Sequence, residues 1–250
     1  MKTTNKTIQF NQYLAGIIDG DGSLLLSKQG YGSLEITMDS RDQKCLNYIK
    51  NHLFGAKLKS RSGSASCRLR VHNKKGIKDV IHRINGKILY PQRILQLKKL
   101  CIHYDIPYIK PIIPNINSYY FAGILDSDGT ITMSIKNKRP KLTISITSKN
   151  KQDLNIWVKT FSGNIYIDKS YTKKTYKWSI QSKKNILSLL EYLKNFPLHT
   201  LKQNRVLMIS QYYRYYEKHA FKEENTILNK KWEEWRLKWR SWGLERDANL

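Results

Sequence analysis

Acidic side chains are scarce in this chain: 19 Asp and Glu stand against 45 Lys and Arg, a formal charge of +26 over 250 residues. An excess this large, spread along the whole length, argues against a cationic target and for a polyanion. Nucleic acid is the leading candidate. An anionic membrane surface is the alternative, but no basic amphipathic helix dominates and no lipidation motif is present. Cysteines number only three, Cys45, Cys67 and Cys101, an odd count with no metal-ligand spacing. That excludes a disulfide framework and a zinc module and points to a reducing compartment. The six histidines are scattered, with no His-x-x-x-His pair. There is no signal peptide and no apolar run long enough to span a bilayer. The opening Met1-Lys-Thr-Thr-Asn-Lys6 is basic and hydroxylated, yet too short for an organelle transit signal. Of only six prolines, three (Pro107, Pro111 and Pro114) fall within 104–117, which suits a stiff, extended linker.

What is present is a repeat. Tyr13-Leu-Ala-Gly-Ile-Ile-Asp-Gly-Asp-Gly22 returns as Tyr120-Phe-Ala-Gly-Ile-Leu-Asp-Ser-Asp-Gly129, identical except at the second, sixth and eighth positions. Each copy is an apolar helix pattern that ends in Asp-x-Asp-Gly. The residues that follow repeat too. Strand-like runs at 23–28 and 34–39 are followed by a helical pattern with Cys45, Leu46, Ile49 and Leu53 on one face, closed by Phe54-Gly55. Strands at 57–61 and 67–72 come next, then helices near 76–84 and 92–103. The second half runs in the same order: strands at 130–136 and 142–147, a helix over 153–161, strands at 164–168 and 175–181, and helices near 184–193 and 200–213. With 40% apolar and 11% aromatic residues there is material for two cores. Each half reads as α-β-β-α-β-β-α, an α+β unit with a four-stranded antiparallel sheet, duplicated about a pseudo-twofold axis. The predicted division is 1–103 for the first half, 104–117 for the linker, 118–218 for the second half and 219–250 for a helical extension. In that extension Trp232, Trp235, Trp239 and Trp242 form one stripe on a helix. The stripe packs on the protein body in the simpler reading. In the other, the Lys/Arg-rich outer face of the helix touches phosphates.

The strands alternate. Arg68, Arg70 and His72 oppose Leu69 and Val71, and Lys57, Lys59 and Arg61 share a face. Thr143 and Ser145 oppose Leu142, Ile144 and Ile146; Lys177, Ser179 and Gln181 oppose Tyr176, Trp178 and Ile180. On these four strands the polar face carries no carboxylate, which is unusual for a merely solvated sheet. A curved polar sheet can lie in a DNA major groove, where Arg, Gln and Ser read base edges and other lysines contact phosphates. Lys57, Lys59, Arg61, Arg68, Arg70, His72, Thr143, Ser145, Lys177, Ser179 and Gln181 are therefore the candidate contacts.

The decapeptides carry the chemistry. Ala15, Gly16 and Gly20, with Ala122, Gly123 and Ser127, leave one helix side with little bulk, so that two backbones can approach closely. Tyr13, Leu14, Ile17 and Ile18 are expected in the core of their own half, and Gly22 and Gly129 in the left-handed conformation that ends many helices. Asp21 and Asp128 then lie at helix C-termini, where the dipole disfavours a carboxylate. Side by side they would repel, and a divalent cation relieves the conflict; an oxygen-only site suits Mg²⁺. Asp19 and Asp126 are expected to support the helix ends.

Leu14-Ala-Gly-Ile-Ile-Asp-Gly-Asp-Gly22 and Phe121-Ala-Gly-Ile-Leu-Asp-Ser-Asp-Gly129 resemble the LAGLIDADG motif of the homing endonuclease family, and the likeness extends over roughly residues 8–215. Two copies in one chain resemble the monomeric members. The resemblance implies a saddle of two sheets on the DNA major groove and hydrolysis of one phosphodiester in each strand. It also implies metal binding by Asp21 and Asp128, assisted by the carbonyls of Gly20 and Ser127. Mg²⁺ or Mn²⁺ would serve as cofactor, and Ca²⁺ would fill the site without cleavage. The family places a basic residue near each scissile phosphate; the repeat sets Arg93 opposite Lys202. Many members carry a solvent-positioning glutamine near the end of the second strand, whereas the aligned positions here are Met38 and Ile146, both apolar. An intron RNA maturase and a non-cleaving DNA-binding protein of the same fold are the competing functions. There is no room for a separate splicing domain, which disfavours an intein. The resemblance, with the abundance of Lys, Asn, Ile and Tyr, suggests an organelle gene, mitochondrial or chloroplast.

Overall fold

The computed structural model describes residues 2–137, 139–168, 174–222 and 226–242. The first half contains α1 (Lys2–Asp21), β1 (Gly22–Leu26), β2 (Gly32–Asp39), α2 (Gln43–Lys50), β3 (Lys57–Ser60), β4 (Ser66–Val71), α3 (Lys74–Ile84) and α4 (Pro91–His103). The second repeats it with α5 (Tyr120–Asp128), β5 (Gly129–Lys136), β6 (Arg139–Ser148), α6 (Asn155–Phe161), β7 (Asn164–Asp168), β8 (Thr175–Ile180), α7 (Lys183–Asn195) and α8 (Lys202–Glu217). A last helix, α9 (Ile227–Ser241), follows. Each half closes with two helices, α3 and α4 in the first and α7 and α8 in the second, where the sequence placed them. The sheets are four-stranded and antiparallel, ordered β1-β2-β4-β3 and β5-β6-β8-β7. No helix among the described residues is long and apolar enough to cross a membrane.

The alternation read from the strands holds in space. Leu34, Ile36 and Met38 of β2 and Cys67, Leu69 and Val71 of β4 are buried under helices, while their neighbours in sequence face outward. Cys45, Cys67 and Cys101 are all buried and free. The linker is pinned to the first half by Asn85, whose side chain donates to Pro107 O at 2.8 Å and accepts from Ile109 N at 2.9 Å. Trp232, Trp235 and Trp239 are buried. Trp235 lies 5.9 Å from the Tyr212 ring of α8, and Trp239 stacks 5.1 Å under the Arg205 guanidinium, so α9 packs on the body.

At the centre α1 and α5 cross backbone against backbone. A Cβ on Gly16 would sit 2.3 Å from Tyr120 O and 3.1 Å from Gly123 Cα, and one on Gly123 would sit 2.3 Å from Tyr13 O and 3.1 Å from Gly16 Cα. The matching distances express the pseudo-twofold axis. Leu14, Ile17, Ile18, Phe121, Ile124 and Leu125 are fully buried around the crossing.

Two expectations change. Gly22 and Gly129 are not left-handed: both begin strands, and Gly129 is extended at φ −81°, ψ 151°. They are glycines because the strand doubles back over its own helix; a Cβ would lie 2.5 Å from Ile18 Cα or 2.4 Å from Leu125 O. Tyr13 is buried in the core of its own half, its ring 5.9 Å from that of Tyr48 and its hydroxyl 3.2 Å from Cys45 Sγ, and it also donates across the axis to Asp126 Oδ2 at 2.7 Å. Sheet register pairs Gly22 with Ile36 and Gly129 with Ile146, so the structural partner of Ile146 is Ile36, and Met38 corresponds to Ser148. The second hairpin is longer, which shifts the repeat. The strand β2, which is not one of the four read as free of carboxylates, adds one to the polar face of the first sheet: Glu35 Oε1 accepts from Arg70 Nε at 2.7 Å, and Glu35 lies 3.3 Å from Arg68 Nη1.

Alanine at an open helical position stabilises relative to glycine by about 1 kcal/mol. At Gly16 the sign reverses, because the new methyl must push two backbones apart. Gly16→Ala is expected to cost about 2–3 kcal/mol, read as a drop in denaturant midpoint.

Candidate active site

The helix crossing delivers two acids to one place. Beyond Gly16 and Gly123 the helices run on for little more than a turn to Asp21 and Asp128. The ends remain in contact: a Cβ on Gly20 would lie 2.0 Å from Ser127 Oγ and 3.2 Å from Asp128 Oδ2. Ser127 Oγ is turned back onto its helix, donating to Gly123 O at 3.1 Å. Asp21 keeps an exposed edge, whereas Asp128 is half-buried. Loss of water raises the Asp21 carboxyl to about 6, against the pull of Lys202 and Arg93. The same loss of water, reinforced by the charge of Asp21, raises Asp128 to about 7.

Each helix end also holds a cation from its own half. Arg93 Nε donates to Ile18 O at 3.1 Å and its Nη2 to Gly20 O at 3.4 Å. Lys202 Nζ donates to Leu125 O at 3.0 Å, Asp126 O at 2.7 Å and Ser127 O at 3.2 Å. Cations here complement the negative end of the helix dipole. Burial pulls the Lys202 ammonium below its ordinary value, opposed by Asp126, Asp21, Asp42 and Asp128.

Asp19 and Asp126 do not brace their own helix ends, as expected from sequence; they hold the turns that lead into α4 and α8. Asp19 accepts from Leu89 N at 2.7 Å and Tyr90 N at 3.2 Å. Asp126 accepts from His199 N at 2.8 Å, Thr200 N at 3.2 Å and Thr200 Oγ1. These turns start the helices that carry Arg93 and Lys202, so one aspartate in each motif places the cation of its own half. Each also accepts a tyrosine hydroxyl from the opposite half, Tyr120 on Asp19 and Tyr13 on Asp126, both at 2.7 Å. Burial raises both carboxyls, Asp19 to about 7.

Sequence reading missed Asp42. It is 5% exposed, follows β2 in a 3₁₀ turn (Ser40–Asp42), and accepts from Leu201 N at 2.7 Å. Its only sequence signal was an acid just after the second strand. Asp153, in the turn after β6 (Lys151–Leu154), was missed as well; with Asp128, Arg93, Tyr90, Thr147 and Ser148 it borders a cavity of about 700 Å³.

On the first sheet, Lys57, Lys59, Arg61, Arg68, Arg70 and His72 converge on one concavity of about 510 Å³. On the second, Gln181 Nε2 donates to Thr143 Oγ1 at 3.2 Å, and Gln181 borders a basic cavity with Lys136, Arg139, Lys141 and Lys183. Lys177 faces Thr147 across β6, and Ser179 faces Ser145. Ser145 is withdrawn from this surface: it is 1% exposed and shares a 2.7 Å hydrogen bond with Thr130 Oγ1.

The donors at the centre are all oxygens: two carboxylates with raised affinity for protons and the carbonyls of Gly20 and Ser127. Among the described residues no group of three or more His, Cys, Asp or Glu could hold a metal ion. A hard cation with several water or phosphate oxygens in its shell fits this set, and a thiophilic or all-protein site does not. The carbonyls already accept from Arg93 and Lys202, but each oxygen has two lone pairs to share.

A family profile described as LAGLIDADG endonuclease matches residues 14–104 and 121–213. The chain is 36% identical over 258 residues to the "Probable intron-encoded endonuclease aI2" of Debaryomyces hansenii, covering 96% of this chain and 39% of that protein. It is 38% identical over 239 residues to the "Intron-encoded RNA maturase bI4" of Saccharomyces cerevisiae, covering 94% of this chain and 37% of that protein. It therefore spans less than half the length of either relative. Among solved structures, the LAGLIDADG homing endonuclease I-GzeII in complex with its DNA target superposes with a TM-score of 0.68 at 17% identity, over 95% of this chain and 99% of that one.

The acids' titration makes a prediction about stability. An unfolded aspartate ionises near 3.8 and folded Asp128 near 7, so between these values the folded state binds the proton more tightly. Stability falls as pH rises through that window and is regained below it. Asp128→Asn is expected to raise the Tm of the metal-free protein above pH 7 and to change it little near pH 4, as followed by thermal melts.

Proposed function

This chain belongs to the LAGLIDADG endonuclease family, and on that premise we propose that it is a site-specific homing endonuclease. It breaks both strands of a long, asymmetric DNA target by metal-dependent hydrolysis of one phosphodiester in each. The observation that carries this reading is the meeting of Asp21 and Asp128 at adjoining helix ends, each end with its own cation, Arg93 or Lys202.

Asp21 and Asp128, with the carbonyls of Gly20 and Ser127, would hold divalent cations, Mg²⁺ or Mn²⁺. When bound, such a cation supplies Lewis acidity at the phosphoryl oxygen and makes water a better nucleophile at neutral pH. Arg93 and Lys202 stand ready to neutralise charge that develops on the phosphate in the transition state. Their anchoring on main-chain carbonyls orients them before substrate arrives, which lowers the reorganisation cost. Lys57, Lys59, Arg61, Arg68, Arg70 and His72 on one sheet, and Thr143, Lys177, Ser179 and Gln181 on the other, line the DNA major groove. Glu35 tempers this surface: by pairing with Arg68 and Arg70 it fixes where their guanidinium groups point.

The functional division follows the repeat: halves at 1–103 and 118–218, a linker at 104–117 and a helical extension at 219–250. The two motifs in one chain complete the site without a second copy, so a monomer suffices. Expression from an organelle intron accords with the intron-encoded relatives. A second reading, binding of intron RNA as a maturase, is favoured by the 38% identity to a protein of that name. It would draw on the same excess of basic side chains and leave the acids idle.

Cleavage-site selection from a randomised DNA library in Mg²⁺ tests the nuclease reading and supplies a target. On that target Asp21→Asn or Asp128→Asn is expected to cut the cleavage rate by at least about 100-fold. Affinity in a gel shift should stay within a few-fold. Specific binding with no cleavage in Mg²⁺ or Mn²⁺ would sink the proposal. A splicing assay with both aspartates changed separates the readings, since a maturase keeps its activity.

A further inference from the structure

The two sides of the acid pair are not equivalent. Asp42 and Asp153 occupy matching turns, each just after the second strand of its half. Asp42 is spent on structure, clamping Leu201 N at 2.7 Å where α8 begins. Asp153 makes no matching clamp on α4. It accepts instead from Ser148 Oγ at 2.7 Å and Asn150 Nδ2 at 3.3 Å, both from its own turn.

Where the clamp is missing, the cavity of about 700 Å³ opens between the halves. Asp128, Arg93 and Gln92 border it on one side, and Thr147, Ser148, Asn150 and Asp153 on the other. Two hydroxyls in its lining point to a resident ligand. Tyr90 is 9% exposed, and neither its hydroxyl nor Thr175 Oγ1 has a hydrogen-bond partner among the described residues. Buried polar atoms left unpaired by protein are ordinarily paired by ordered water, and this space is both polar and large enough.

We propose that Asp153, held by Ser148 and Asn150, is a solvent-positioning residue serving only the strand cut beside Asp128, with the adjoining cavity as its water channel. This rests on the nuclease reading. Water in the channel is ordered between the Tyr90 hydroxyl and the Asp153 carboxylate and presented to the phosphate on that side. The Asp21 side has no equivalent, because Asp42 is committed to Leu201. The two strands are therefore cut by differently equipped half-sites.

The experiment uses the full chain, Mg²⁺ and a selected target duplex labelled separately on each strand. Asp153→Ala is expected to slow nicking of one strand at least tenfold and leave the other within twofold, so that nicked duplex accumulates. Tyr90→Phe, which removes only a hydroxyl, should shift the same strand in the same direction and guards against misfolding of the first variant. Asp42→Ala, which removes a structural clamp, should lower Tm. Gel-shift affinity without divalent metal should be unaltered in Asp153→Ala. Equal slowing of both strands, or no slowing of either, overturns the proposal and leaves the nuclease reading standing. Failure of the unaltered protein to cut any selected duplex overturns both.

Discussion

Everything at the centre depends on two backbones touching. Gly16 and Gly123 let α1 and α5 approach until main-chain atoms of one helix fill the space a side chain would take on the other. That contact sets the rotation and height of both helices at once. It decides that Asp21 and Asp128 emerge together and that the sheets, which begin at the next residue, diverge to either side. A wider crossing would keep two folded halves and lose the shared site. The strand starts at Gly22 and Gly129 are equally constrained, since each chain folds back against the last turn of its own helix.

Holding so many carboxylates near one axis is electrostatically costly. Asp19 and Asp126 are buried, and each is satisfied by two backbone amides and a tyrosine hydroxyl from across the axis. Full hydrogen bonding makes a buried acid tolerable. Asp21 and Asp128 receive less: they sit at the unfavourable end of a helix dipole and feel one another, with Arg93 and Lys202 as partial relief. The structural acids are saturated, and the pair at the helix ends is left wanting positive charge. This contrast separates support from chemistry within a motif where both residues are aspartate.

Much of the architecture was legible because it is local or repeated. Strand alternation, the two acidic helix ends and the small-residue stripe each follow from side-chain periodicity, and duplication let one half check the other. The family resemblance called for a basic residue in each half, and the repeat pointed to Arg93 and Lys202. What escaped was long-range or asymmetric. The bond from Leu201 N to Asp42 joins residues 159 apart in sequence, and no pattern announces it. The Met38–Ile146 pairing failed because a longer second hairpin shifts register without disturbing the motif spacing. Ser145 has the right phase for the outer face, but Thr130 captures its hydroxyl under the start of β5. Phase along a strand says which way a side chain points and not whether a neighbour covers it.

The crossed tyrosines bear on how such a chain can be recombined. Tyr13 belongs to the first motif and is bonded to the second; Tyr120 does the reverse. Each half thus reaches into the other to steady the turn before its cation-bearing helix. Grafting one half onto a foreign partner would sever both bonds and leave Asp19 or Asp126 under-satisfied in the interior. The smallest transferable unit is therefore the helix pair together with its two following turns, and the sheets are the parts free to vary around it.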